Sequence, residues 1–145
     1  ITQWGRGRGR GPPSAMQTTT HPTGQAGTLT LTPYVLKTTD DSERVPAELG
    51  RLLVPENRRN PGSRLIELAF ARLRSIGERP GPPIIFLAGG PGGSGIESAR
   101  WPQRFPWFMA LRVAGDVILL DQRGIGLSNP RLDNPVRRES PSEQP

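Results

Sequence analysis

Two glycine-containing loops hold the residues of this chain whose types and spacing suit chemistry. Residues 84–87 form a short apolar run that ends at Ala88 and the glycine-rich sequence GGPGGSG at 89–95. Residues 117–120 form a second apolar run, and DQRGIGLS follows it at 121–128. β-Branched apolar runs that stop at such turns are typical of buried parallel strands, and open α/β sheets bind ligands at the carboxyl ends of those strands. We therefore predict that both loops lie at one ligand-binding edge of a sheet.

The first loop offers backbone amides rather than reactive side chains. Glycine lacks a Cβ atom, so its peptide N–H can approach a ligand closely. Pro91 is expected to stiffen the turn between two glycine pairs. Preorganised amides of this kind stabilise the oxyanion of acyl-transfer reactions, and removal of one donor costs about 3 kcal/mol. The loop therefore suits an oxyanion hole.

A dinucleotide site is the rival interpretation of the same residues. Gly90, Gly92 and Gly95 match the spacing G-x-G-x-x-G, and Asp121 ends the next predicted strand. A dinucleotide-binding unit also needs a continuous helix after the third glycine, with its amino end on the pyrophosphate. Prolines interrupt the segment after Gly95, and Pro91 removes one amide that would face phosphate. This Rossmann-like alternative is disfavoured but stays open.

The two loops together resemble a known family. Residues 88–95 resemble the His-Gly-Gly-Pro-Gly loop of the proline iminopeptidase and tripeptidyl aminopeptidase group of α/β-hydrolases. Residues 121–128 look like the Asp-Gln-Arg-Gly-x-Gly-x-Ser loop of that group, and residues 53–58 and 64–68 are similar to its amino-terminal strands. The resemblance implies an α/β fold, namely an incomplete hydrolase sheet in which an antiparallel meander leads into parallel strands.

The resemblance also implies roles for the glycine loop. Gly90 would supply an oxyanion amide, with Gly89 as its neighbour, and Pro91 and Gly92 would shape the turn. Ala88 stands where the family has His. Because the oxyanion donor is a backbone group, we expect this change to alter loop packing more than the donor itself.

The second loop is expected to be structural. By the resemblance, Asp121 and Arg123 form a buried or semi-buried pair that fixes the two loops against each other, with Gly124 in the turn. A solvated loop charge is the alternative for Arg123. Ser128 is not a nucleophile candidate, because it lacks the G-x-S-x-G turn that presents a catalytic serine.

The catalytic triad that the resemblance implies is absent from this chain. In α/β-hydrolases Ser, Asp or Glu, and His follow these strands in that order. The sequence contains no G-x-S-x-G, and its single histidine is His21. We predict the amino-terminal part of a serine hydrolase, an aminopeptidase type acting on a peptide or ester substrate, that is inactive alone. A complementary carboxyl-terminal chain is the expected partner, and no metal or organic cofactor is implied.

Composition divides the 145 residues into three parts. We expect a disordered Gly/Arg- and Thr-rich stretch at 1–26, a hydrolase portion at 27–135 and a disordered tail at 136–145. The net charge of +6 is carried largely by terminal arginines, which disfavours a nucleic-acid surface in the central part. The Arg-Gly tract at 4–11 leaves an RNA-interaction protein as a further alternative. No apolar stretch suits a membrane span or a signal peptide, so we expect no membrane partner; the cellular location stays open, with the cytoplasm favoured.

The elements that position the loops can be predicted from local pattern. We expect the apolar runs before the two loops to be neighbouring buried strands, with an unprotected strand edge where further strands are missing. The segment between the loops should be helical but broken by Pro102 and Pro106. Three extended segments are predicted upstream, at 29–37 with an interruption at Pro33, at 45–54 and at 65–73. A short helix would also fit the pattern at 65–73, but the flanking turns favour a strand.

Overall fold

The computed structural model describes residues 21–132, which form one mixed sheet with two short helices. The predictions of disorder for 1–20 and 136–145 lie outside the described residues. The strands are β1 (Leu29–Lys37), β2 (Arg44–Pro55), β3 (Leu65–Leu73), β4 (Ile84–Leu87) and β5 (Val117–Asp121), and the helices between β4 and β5 are α1 (Gly95–Ala99) and α2 (Phe105–Leu111).

The strand order in the sheet is β1-β2-β3-β5-β4. β1, β2, β3 and β5 pair antiparallel in that order, and β4 pairs parallel with β5. This confirms the predicted α/β-type arrangement, in which antiparallel strands lead into a parallel pair. It also confirms that β4 and β5 are neighbours.

The predicted interruption of β1 at Pro33 is wrong. Pro33 lies opposite Glu48 in an unbroken register with β2. β1 is an edge strand, so the missing N–H of proline can face away from the ladder without cost to pairing. Local sequence alone does not reveal which strand will be at an edge.

One face of the sheet carries the hydrophobic core. Phe105 and Phe108 of α2 are buried there, and the Phe108 ring contacts Phe86 of β4 edge-on at a centroid distance of 4.8 Å. Fully buried strand residues under the helices are Leu36, Ala71, Leu73, Val117 and Leu119.

The helical segment is divided as the prolines predict. α1 has five residues and α2 has seven, with Pro106 in the first turn of α2. A proline is tolerated there because the first N–H groups of a helix have no intrahelical partner. Within residues 21–132, neither helix has the length and apolar character needed to cross a membrane.

The prediction that β4 is buried is only half right. Ile85 and Leu87 are 60% and 57% exposed, whereas Phe86 faces the core between them. Within residues 21–132, β4 has one neighbouring strand, and the two helices cover only the face on which Phe86 lies. The opposite face of the sheet also exposes Leu29, Leu31 and Val35 of β1.

Candidate functional site

The two predicted loops meet at the carboxyl ends of β4 and β5. Because these strands are parallel neighbours, the chain leaves both at the same edge of the sheet. A cleft of about 870 Å³ lies between the loops. Its lining residues come from both loops and from α1, and include Pro91, Gly92, Ser94, Glu97, Arg123 and Gly126.

Asp121 joins the two loops at the base of the cleft. Its carboxylate is fully buried. Oδ1 accepts hydrogen bonds from Ser94 Oγ at 2.6 Å and from the Ile96 N–H at 3.2 Å, and Oδ2 accepts one from the Leu127 N–H at 2.8 Å. The buried charge is therefore stabilised by three donors, two from the glycine-loop side and one from its own loop.

Ser94 connects Asp121 with the start of α1. Its hydroxyl donates to Asp121 and accepts from the Glu97 N–H at 3.0 Å, which makes Ser94 the N-cap of the helix. Sequence reasoning overlooked this residue. The signal was present, since Ser followed three residues later by Glu is the pattern of a helix start. The Glu97 carboxylate accepts a hydrogen bond from the Arg100 guanidinium at 2.7 Å.

Gly126 allows the second loop to close on the Asp121 carboxylate. Its φ is +58°, a region that disfavours residues with a side chain, and an added Cβ would lie 2.0 Å from Asp121 Oδ2. Gly124 has a φ of +76°, and an added Cβ there would meet the Leu132 side chain. Both glycines thus adopt backbone conformations in this turn that disfavour a side chain.

The side chains of Ser128 and Gln122 also hold the loops to the sheet. The sequence did not predict this role for either residue. Ser128 Oγ donates to the Asp121 carbonyl at 2.7 Å and accepts from the Ala69 N–H at 2.9 Å, in a buried position. Gln122 Nε2 donates to the carbonyl of Ala88 at 3.3 Å. The Ser128 hydroxyl is thus engaged with β3 and β5.

The predicted pair between Asp121 and Arg123 is not formed. Arg123 is exposed and donates from its guanidinium to the carbonyl of Glu56 at 3.1 Å. The Asp121 carboxylate lies inside the protein, where three short-range donors already surround it. The Glu56 carboxylate accepts a hydrogen bond from Arg64, and this bond lowers the pKa of Glu56. Arg123 therefore ties its loop to the end of β2.

The glycine loop leaves its first amides without protein partners. Gly89 and Gly90 are exposed, and no hydrogen bond within residues 21–132 uses their N–H groups. Gly90 has a φ of +143°, and the bond from Gly90 to Pro91 is cis. Pro91 and Gly92 line the cleft, whereas Gly89 and Gly90, which precede them in the chain, are not among its lining residues. The loop thus presents amides that a ligand atom can bind.

The described residues do not gather the side chains of a metal site or a triad. Across residues 21–132, no group of three or more His, Cys, Asp or Glu side chains has the geometry to hold a metal ion. His21 is not among the residues that line the cleft. The polar and charged side chains that line the cleft are those of Ser94, Glu97, Asp121, Arg123 and Arg131, beside the peptide groups of the two loops.

Comparison with known proteins adds no assignment. The sequence matches no protein-family model and no curated protein.

Proposed function

We propose that this chain is the amino-terminal part of a serine α/β-hydrolase of the aminopeptidase type and that it supplies the oxyanion-binding loop. The supporting observation is the glycine loop at the carboxyl end of β4, in which the amides of Gly89 and Gly90 have no partner in the described part of the chain. The substrate would be a peptide amide or an ester, with the scissile bond near a free amino end.

In this mechanism the chain stabilises the negative charge of the oxyanion, and a complementary chain supplies the nucleophilic serine. A serine of a complementary chain attacks the scissile carbonyl carbon and passes its proton to a histidine of that chain. The carbonyl oxygen becomes an oxyanion, which accepts hydrogen bonds from the Gly90 and Gly89 N–H groups. The histidine then protonates the leaving amine or alcohol, and water releases the acyl group from serine.

The Asp121 network supports this proposal, because oxyanion donors act best when they do not reorganise. Asp121 holds Ser94 and the Ile96 amide just after the glycine loop, and Gln122 holds Ala88 just before it. The loop is therefore restrained at both ends, while the amides between them remain available.

The structure gives less support to the dinucleotide alternative. α1 ends at Ala99 and α2 begins only at Phe105, so no continuous helix follows the glycines. A pyrophosphate would meet a single short turn rather than the amino end of a long helix. Titration with reduced nicotinamide dinucleotide, followed by fluorescence, tests this alternative directly. The Arg-Gly tract of the RNA alternative lies outside the described residues.

The first test is the coding DNA beyond the codon for Pro145. We expect a continuation, in frame or frame-shifted, that encodes G-x-S-x-G followed by Asp and His. Expression of this chain together with that segment should then hydrolyse aminoacyl anilides or esters, whereas the chain alone should not. A continuation without these residues would contradict the proposal.

The assignment of the oxyanion donors needs a change that affects only the backbone. Incorporation of glycolic acid at position 90 of the completed enzyme replaces the Gly90 N–H by an ester oxygen and leaves the loop without a new side chain. We expect kcat to fall about 100-fold or more. The same replacement at Gly92 is the matched control and should have little effect. If only the Gly92 replacement lowers kcat, the donors have been assigned wrongly.

A further inference from the structure

The two ends of the sheet differ in charge. β3 pairs antiparallel with both β2 and β5, so β2 runs in the same direction as β5 and its carboxyl end lies at the same sheet edge as the cleft. The turn at 56–64 and the loop at 122–132 lie at this edge and contain five arginines against one acidic residue, Glu56. The turns at the other end of the sheet contain three arginines against five acidic residues, at 38–43, 74–83 and 112–116. Positive charge is therefore concentrated beside the cleft.

Arg123 connects this turn with the cleft. It lines the cleft, and its guanidinium donates to the Glu56 carbonyl at 3.1 Å. Arg58 and Arg59 follow Glu56 by two and three residues, and both are exposed. Arg131 also lines the cleft. We call these four arginines, at positions 58, 59, 123 and 131, the arginine rim.

Arg58 and Arg59 have no counter-charge in the described part of the chain. Neither guanidinium forms a hydrogen bond or an ion pair within residues 21–132. The Glu56 carboxylate, the acidic group of the turn, is already paired with Arg64. Ion pairs at the other end of the sheet include Arg72–Asp116 and Arg74–Glu48. Two adjacent cations without a partner repel each other and attract an anion, so this part of the rim is suited to an anionic ligand.

A carboxylate is the anion that the rim fits best. The planar guanidinium group presents paired N–H donors that match the two oxygens of a carboxylate. Single-stranded nucleic acids also need aromatic side chains on which their bases stack, and the segments 56–64 and 122–132 contain none. The exposed Trp101 and Trp107 belong to the segment between β4 and β5 instead. The rim therefore suits acidic side chains of a peptide better than a nucleic acid.

We propose that the arginine rim binds carboxylates of the peptide substrate, so that the site is specific for acidic peptides. The inference rests on the proposed hydrolase function and adds the substrate class to it. Arg123 and Arg131 line the cleft, and Arg58 and Arg59 lie on the turn beside it, so a bound peptide would place acidic side chains next to the cleft. The concentrated positive charge would also raise the association rate of such a peptide.

Nuclear magnetic resonance titration of the complete, isotope-labelled chain tests binding without catalysis. The ligands are the peptide Ala-Ala-Glu-Glu-Glu and its neutral counterpart Ala-Ala-Gln-Gln-Gln, both with an amidated carboxyl end. We expect the acidic peptide to shift amide signals at 56–64 and 122–132. Its binding should weaken as salt rises from about 0.1 M to about 1 M, because the Debye length falls from about 10 Å to about 3 Å. Equal binding of the two peptides, or no binding of the acidic one, would overturn the inference, as would tighter binding of an oligothymidylate of the same charge.

Two double variants with the same net charge provide the matched comparison. Arg58→Gln combined with Arg59→Gln removes two charges of the rim and should weaken binding of the acidic peptide about fivefold. Arg74→Gln combined with Arg79→Gln removes two charges from the other end of the sheet and should change binding less than about twofold. Equal weakening in both double variants would show that net charge alone attracts the peptide, which would reject the rim as its binding site.

Kinetics of the enzyme completed with its carboxyl-terminal segment separate this inference from the proposed function. Arg58→Gln combined with Arg59→Gln should raise KM for the acidic peptide about fivefold, leave kcat unchanged and leave KM for the neutral peptide unchanged. Hydrolysis of both peptides with the same KM would refute the acidic specificity and retain the hydrolase function. A completed enzyme that hydrolyses neither peptide would refute the hydrolase function, whereas the titration of the chain alone decides whether the rim binds carboxylates.

Discussion

The loops that follow β4 and β5 lie side by side but use their polar groups in opposite ways. In the loop after β5, the Asp121 carboxylate accepts three hydrogen bonds and its carbonyl accepts a fourth from Ser128. In the loop after β4, the N–H groups of Gly89 and Gly90 have no partner within the described residues. One loop is held by side chains, and the other exposes its backbone.

This difference shows how a flexible sequence can be presented in a fixed geometry. Glycine gives close access to the backbone but adds conformational entropy to the unfolded chain. The Asp121 network restrains Ser94 and Ile96 directly after the glycines, without occupying the glycine amides. The comparison predicts that substitutions in the second loop alter stability and that substitutions at Gly89 do not.

The largest effect is expected for Asp121→Ala. It leaves the buried Ile96 N–H and the part-buried Leu127 N–H without their acceptor and should lower the free energy of unfolding by about 3 kcal/mol. Urea unfolding at neutral pH measures the change. Glu97→Ala is the matched control, because it removes an exposed ion pair with Arg100 that contributes at most about 1 kcal/mol. Equal losses in both variants would show that Asp121 does not organise the loops.

A pair of glycine substitutions tests the contrast within the two loops. Gly126→Ala forces a Cβ against the Asp121 carboxylate at a positive φ and should destabilise the fold by about 2 kcal/mol. Gly89→Ala adds a Cβ in open space at an ordinary φ and should change stability by less than about 0.5 kcal/mol. Thermal unfolding of the two variants should separate them clearly. If Gly89→Ala destabilises the protein more than Gly126→Ala does, the proposed difference between the two loops is wrong.

Ser94→Ala should have a smaller effect that is confined to one place. It removes the N-cap of α1 and one donor to Asp121, which should cost about 1 kcal/mol. Hydrogen exchange should quicken at the amides of Ile96 and Glu97 and remain unchanged in β2. Ser98→Ala serves as the control, because the Ser98 hydroxyl donates a hydrogen bond to the Ser94 carbonyl and not to Asp121. Uniformly faster exchange throughout the sheet would contradict a local role.

The smallest effect is expected for Asp116, the carboxylate just before β5. Hydrogen bonds from the Ser75 N–H and from Arg72 hold the pKa of Asp116 below its ordinary value. A lowered pKa in the folded state means that the ionised form stabilises the protein above the unfolded value of about 3.9. This contribution is lost as the pH falls from about 3.9 through the folded-state pKa.

Urea unfolding of the wild type and of Asp116→Asn at a series of pH values checks this prediction. The wild type should be the more stable at neutral pH, and the difference should shrink as the solution is acidified below the ordinary aspartate pKa. A difference that stays constant down to strongly acidic pH would rule out a titrating role for Asp116.

Local pattern in the sequence predicted the extended segments and the break between the helices. β3 and β5 were recognisable from apolar residues between turns, and the division of α1 from α2 follows from proline, whose effect on a helix depends only on its immediate neighbours. The adjacency of β4 and β5 was also anticipated from the two loops.

Only the tertiary structure decided where each element lies relative to the others. Pro33 does not disturb pairing because β1 is at an edge of the sheet. β4 is half exposed because no further strand or helix of the described residues covers it. Arg123 donates to the Glu56 carbonyl, while the Asp121 carboxylate is directed toward the start of α1. Composition and spacing determine which groups can bond or pack. Burial and pairing partners depend on residues distant in sequence, so they become defined only when the sheet has assembled.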